Sequence, residues 1–253
     1  MKAALLTAGV LSMAVARLGD VHFEVPTSGY TLQAHVGGSV IDKLTKEVRF
    51  LLKGNAVATS KQFQFSADSI KGLLSNPTGT KKPYLKKADT TGKTTVIRTV
   101  QAGTKLDRTT VTGTKFLFTG DASLGNLILK GPVQITESGT AKSALTIWGS
   151  SGSVQFDMRK ENAKQALLKA SLAGPVSIHV TESGKQHGTL EATGNHLVLD
   201  NTVSPARIVL SGSITFHGTE ESDTGSASGI DKLTIFLNDH GDLTKISAGE
   251  IGP

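Results

Sequence analysis

Seven histidines, two strand-ending aspartates and a scatter of lysines are the side chains of this sequence that could do chemistry. The histidines are His22, His35, His179, His187, His196, His217 and His240, and none falls in a His-x-x-x-His or comparable ligand spacing. His179 and His217 each lie five residues past a glycine of a repeated phrase (179 − 174 and 217 − 212). That places them as neighbours on one outer face, with no third ligand beside them, and no metal is assigned. Asp157 and Asp200 follow Gly152 and Gly194 by five and six residues. Paired carboxylates can cleave glycosides, but an Asp at a strand end beside a polar turn ordinarily serves the turn. There is no Gly-x-Ser-x-Gly elbow, no phosphate-cradling glycine loop and no cysteine, which excludes thiol chemistry. Trp148 and Tyr30 stand too far apart in sequence to form a stacking platform for nucleic acid or sugar. The expectation is a protein that is not an enzyme, with no catalytic residue and no cofactor.

The elements that position these residues read as strands. Apolar residues alternate with period two at Val133 and Ile135, at Val154, Phe156 and Met158, at Val176, Ile178 and Val180, at Ile214 and Phe216, and at Leu233, Ile235 and Leu237. Each set marks a strand with one buried face. A short phrase recurs with them: Leu129-Lys130-Gly131-Pro132-Val133, Leu172-Ala173-Gly174-Pro175-Val176 and Leu210-Ser211-Gly212-Ser213-Ile214. Its glycines lie 43 and 38 positions apart (174 − 131 and 212 − 174), and a looser copy, Leu52-Lys53-Gly54-Asn55-Ala56-Val57, precedes them. A second glycine series, Gly113, Gly152 and Gly194, interleaves with the first. Such a period means one supersecondary unit stacked on itself. The stretch from Asn162 to Leu172 has a helical look but occupies a strand's place in the unit, and reads as strand. From Ser75 to Lys93 the chain is polar, holds two prolines and carries Lys81, Lys82, Lys86, Lys87 and Lys93. It reads as a basic loop insertion at about 75–93.

Composition bounds the rest. The 253 residues include 28 glycines and only 5% aromatics, which suits many short strands joined by tight turns. Lys and Arg outnumber Asp and Glu 27 to 21, a net +6 spread along the chain. That spread fits a mildly basic surface for phosphate-bearing partners and not a nucleic-acid-binding tail. Lys2, the apolar run from Ala3 to Ala16 and the small-x-small Ala14-Val15-Ala16 read as a cleaved export signal over 1–16. A run of that length is too short for a permanent membrane anchor. The mature domain is then 17–253, exported and periplasmic.

One resemblance sharpens this reading. Leu52-Lys53-Gly54-Asn55-Ala56-Val57, followed by Phe63-Gln64-Phe65-Ser66-Ala67-Asp68-Ser69-Ile70, resembles the OstA/LptA-like repeat of lipopolysaccharide-transport proteins. A weaker version runs through Gly188 to Thr193, Leu197 to Asp200 and Leu210 to Phe216. The resemblance covers roughly residues 25–250; the Ala-Asp pair is clear at Ala67-Asp68 and lost in later units. It implies an all-β fold, an open antiparallel jelly roll whose two sheets enclose an apolar groove, and a β-solenoid is the alternative. It further implies a periplasmic carrier of lipopolysaccharide or a related glycolipid during outer-membrane assembly. Head-to-tail copies or other transport proteins would join through strand pairing. On that reading the groove is lined by Phe65, Phe116, Val133, Ile135, Val154, Phe156, Val176, Ile178, Leu197, Leu199, Ile214 and Phe216. Lys115, Lys130 and Lys169 are the candidates for lipid phosphates. A structural or adhesive repeat protein at the cell surface is the competing function.

Overall fold

The computed structural model describes residues 12–13, 21–25, 29–42, 44–75, 83–102, 105–139, 143–159, 165–181, 188–220, 223–238 and 241–249. Within them the chain is all strand and turn, without helix: β1 (Ser12–Met13), β2 (Val21–Val25), β3 (Tyr30–Ala34), β4 (Val36–Ile41), β5 (Val48–Thr59), β6 (Phe63–Ser75), β7 (Tyr84–Thr91), β8 (Thr94–Ala102), β9 (Lys105–Gly113), β10 (Lys115–Gly120), β11 (Leu124–Gly139), β12 (Ala144–Asp157), β13 (Leu167–Thr181), β14 (Thr189–Asp200), β15 (Ala206–Glu220), β16 (Asp223–Leu237) and β17 (Leu243–Ala248).

Every pairing is antiparallel, and together they describe one meandering sheet folded over on itself. The front layer runs β4-β5-β6-β7-β10-β11 and onward in chain order to β17. The back layer runs β2-β3-β5-β6-β8-β9-β11 and onward to β16. β5, β6 and β11 to β16 belong to both, one half of each strand in each layer. The pairs β3/β4, β7/β8 and β9/β10 are the same bent unit broken for a residue or two at the fold line. This is the expected all-β, jelly-roll-like architecture. The solenoid alternative fails, because its coils stack strands in parallel.

The repeated glycines mark the crease between the layers. Ladders slip between Lys53 and Ala56, Lys130 and Val133, Ala173 and Val176, and Ser211 and Ile214, at the glycine of each phrase. Gly54, Gly131, Gly174 and Gly212 all have left-handed backbone, with φ between 72° and 88°. Each also leaves room for the crease residue of the neighbouring strand: a Cβ on Gly174 would stand 2.5 Å from Ser150 Oγ, and one on Gly131 would stand 2.4 Å from Thr114 Oγ1. Inward residues then continue on both sides of the bend, as with Leu127 and Leu129 before Gly131 and Val133 and Ile135 after it.

Two sequence expectations need restating. The segment expected as a basic insertion holds β7 in its second half, a front-layer strand between β6 and β10. Leu85, Ala88 and Thr90 point inward, and the outward Lys86 and Lys87 disguise the alternation; residues 76–82, with Lys81 and Lys82, lie outside the described residues. Of the expected leader, only Ser12–Met13 lies among the described residues, paired with Val40 and Ile41 of β4. The stretch with a helical look enters β13 at Leu167 as a strand.

Replacing Gly174 by Ala combines a left-handed backbone with a clash and is expected to cost about 1–3 kcal/mol. Gly225→Ala, where an added Cβ meets nothing within 4 Å, should stay within about 0.5 kcal/mol. Urea unfolding of the two variants compares them; equal midpoints would remove the crease from the argument.

Candidate functional site

The layers enclose a single apolar interior. Of the proposed groove residues, Phe65, Phe116, Val133, Ile135, Val154, Phe156, Val176, Ile178, Leu197, Leu199 and Ile214 are all buried in it, and Phe216 packs against it half-buried. The structure therefore brings the whole set together. It also packs the middle of the shell closely: Phe63 and Phe65 from the back layer, 4.9 Å apart, meet Phe118 and Phe156 from the front, with centroids 5.4 to 5.7 Å apart across the layers. Tilted and edge-on contacts of this kind add to the area buried.

Opposite the crease, the long open side of the shell is closed by polar ties between the layers. Tyr30 of β3 is hydrogen-bonded to the Leu85 backbone of β7, and burial pushes its phenol pKa up. Arg98 of β8 is 1% exposed and reaches across to the front layer, donating Nε to the Asp157 carbonyl at 2.7 Å and an Nη to the Arg159 carbonyl at 3.0 Å. Its other guanidinium nitrogen donates to the Gln62 side chain and the Thr99 carbonyl. Burial pulls its pKa down, and the nearby Asp157, Tyr30 and Asp107 oppose that. Asp107 of β9 accepts from the Ala166 N–H at 2.7 Å. Glu137 of β11 faces the Asn201 amide at 3.4 Å, and Ser143 donates to Asp242. A buried polar group without a partner costs about 1–3 kcal/mol, so these ties let polar ends meet over the apolar interior.

The ties among the described residues end at Ser143–Asp242. Beyond that pair, at the C-terminal end, a cleft of about 310 Å³ opens. Val180, Leu190 and Thr219 line it from the back layer, Leu243 and Ile246 from β17. Phe216, Ile230, Leu243 and Ile246 are the apolar residues left half-buried at this end of the core. Among the described residues no further strand pairs with the outer edge of β17 or of the first half of β16. Sequence reasoning missed both ties and mouth; buried Arg98, between the apolar Val96 and Val100, was the available signal.

The remaining candidates fall outside the shell. Lys115 and Lys130 are exposed and directly opposed on β10 and β11, while Lys169 makes an ion pair with Asp200 at 3.3 Å. Burial works against the Asp200 carboxylate, but hydrogen bonds from Thr202 and Lys169 hold it below the usual range. Asp157 is buried and bound by Arg159, so the two aspartates share no site. His179 and His217 both flank Glu191 on the back face. His179 contacts Glu191 at 3.1 Å and Thr181 at 2.9 Å, an order that resembles a relay. The adjoining N–H groups are spent in ladders on both sides, which leaves no oxyanion donors. No group of three His, Cys, Asp or Glu that could hold a metal occurs among the described residues.

Comparison of the chain with family models, with curated proteins and with solved structures finds no match.

Arg98→Met strands four carbonyl or amide acceptors at the closure and is expected to cost about 3–5 kcal/mol. Lys86→Met, which removes a half-exposed partner of the partly exposed Glu47, should change stability little. Equilibrium denaturation distinguishes them, and equally small effects would mean that the ties do not hold the layers.

Proposed function

We propose that the protein carries the acyl chains of lipopolysaccharide or a related glycolipid between its layers, as a periplasmic bridge of the OstA/LptA-like type. The observation that carries this reading is an apolar interior tied along its side, with a cleft of about 310 Å³ between Val180 and Leu190 of the back layer and Leu243 and Ile246 of β17 at one end. Acyl chains offer no hydrogen bonds and are held by apolar area alone, on the order of 25 cal/mol per Å². The C-terminal mouth offers such area at the half-buried Leu243 and Ile246 that line it, with half-buried Phe216 of β15 at the same end of the core. The close packing of Phe63, Phe65, Phe118 and Phe156 favours loading at this mouth over the middle of the shell, with the aromatic cluster as an inner stop. The outer edges of β16 and β17, which pair with no further strand among the described residues, fit a partner added by strand pairing, which would carry the interior into the next shell. Export rests on the leader-like first sixteen residues.

The aromatic packing also supports a second reading, a structural or adhesive surface protein whose interior holds nothing but itself. Photo-crosslinking separates the two. A probe at Phe216 or Ile246 should give lipid adducts in cells, and one at Ser177, on the outer back face, should give none. Absence of adducts at both mouth positions in folded protein would defeat the carrier reading.

A further inference from the structure

The two outer faces of the shell differ sharply in chemistry. Following the ladders across the front face gives three outward rows. The row beside the crease carries Lys53, Lys115, Lys130 and Lys232. The row farthest from it carries Arg49, Lys87, Lys169, Arg207 and Lys245. Between them runs a mixed row in which Leu51, Leu117, Ile128, Val198 and Val209 are interspersed with Lys71, Asp89, Ser153, Ser171 and Thr234. Leu51, Ile128 and Val198 are 44%, 48% and 37% exposed. Asp89 and Asp200 are the acids in these rows. At nearly 5 Å per strand the rows extend roughly 40 Å.

The corresponding back-face rows are a carpet of Ser, Thr and Gln. One runs Ser66, Thr95, Thr112, Gln134, Trp148, Ser177, Thr193, Thr215 and Ser228. The next holds Thr110, Thr136 and Thr146 beside His179, Glu191 and His217. Arg108 is the cation of the rows beyond.

From this asymmetry we infer that the front face docks on the surface of an anionic lipid bilayer. Two cationic rows match a sheet of headgroup charge, each Lys or Arg near such a surface adding attraction that is screened by salt. The exposed Leu51, Ile128 and Val198 between them distinguish a bilayer from a soluble polyanion, since they gain only where an apolar phase lies behind the charges, and lysine stems can lie beside them. The face also has a receptacle of headgroup size. A hollow of about 530 Å³ is lined by Arg49, Lys71 and Lys87 around Val40, Leu51 and Leu73, with Asp89 at its edge. Docking by this face holds whether or not the interior carries lipid.

The test is partition of the purified protein onto vesicles of phosphatidylglycerol and phosphatidylcholine in equal parts, against pure phosphatidylcholine. Binding is expected to the first alone, weakening as salt rises from about 0.01 to 0.15 M. Lys115→Glu/Lys130→Glu should weaken it on the order of 25-fold or more, Ile128→Ser/Val198→Ser should weaken it as well, and Arg108→Glu should leave it unchanged. Orientation is read without relying on those variants. The lone Trp148 lies on the back face and should escape quenching by brominated lipid, whereas a Trp148→Phe/Ile128→Trp protein should be quenched. No anionic-vesicle binding, binding indifferent to the front-face reversal, quenching of Trp148, or retention on heparin without vesicle binding would each overturn the inference.

Discussion

Everything in this molecule depends on turning an extended chain through the same line again and again. A strand that passes from front to back layer must leave its ladder for two residues and resume with its inward positions still inward. A left-handed residue does this in the least space, and the absence of Cβ lets the neighbouring crease residue close over it. The structure repeats the device down the chain: left-handed glycines stand at 54, 92, 131, 174, 212 and 249. Neighbouring limbs cross instead at polar residues, Thr114, Ser150 and Asn195, which contact those glycines. The crease is thus a column of alternating small and polar groups. Its spacing fixes the length of every limb on either side.

Limb length decides what the far side must look like. With only three or so inward residues per half-strand, the turns opposite the crease lie directly over the apolar interior. The ties there are the consequence: a guanidinium fully withdrawn from water is tolerable because its donors end on carbonyls that would otherwise be unpaired. They also explain why the shell opens where it does. At the C-terminal end the front layer gains β17, whereas the back layer ends at the first half of β16. The edge strands no longer face one another, and Leu243 and Ile246 are left half-buried beside the cleft.

Much of this was legible in the sequence wherever one residue carried the signal. The Leu-x-Gly-Pro/Ser-Val/Ile phrase is the crease read along a single strand, and its alternating neighbours identified the inward set from Val133 to Ile214. Gly92 escaped because its flanks are Asp89, Thr90, Thr91 and Lys93, with no aliphatic residue beside it, although it falls 38 positions after Gly54 and 39 before Gly131 (92 − 54 and 131 − 92). Lysine-rich β7 looked like a loop for the same reason: its inward residues are one Leu, one Ala and one Thr. The ties were invisible because Arg98 and Asp157, or Glu137 and Asn201, are about 60 positions apart and meet only after the sheet has folded.

The charge asymmetry could not be read along the chain for a more interesting reason. Most long strands contribute to both faces, so a basic front and a neutral back cannot arise from one basic segment. β11 supplies Lys130 to the front and Gln134 and Thr136 to the back; β13 supplies Lys169 to the front and Ser177 and His179 to the back; β15 supplies Arg207 and then Thr215 and His217. The lysines and arginines return each time the chain re-enters the front layer and are replaced by hydroxyls each time it leaves. Outward positions take no part in packing the interior, and hydroxyl residues serve equally well on either face as far as the fold is concerned. Lys115 directly opposite Lys130 is in fact a repulsive cross-strand pair that the fold would be better without. A pattern that is renewed over successive limbs, at some cost to sheet stability, is one that folding does not explain, and an external negative surface does.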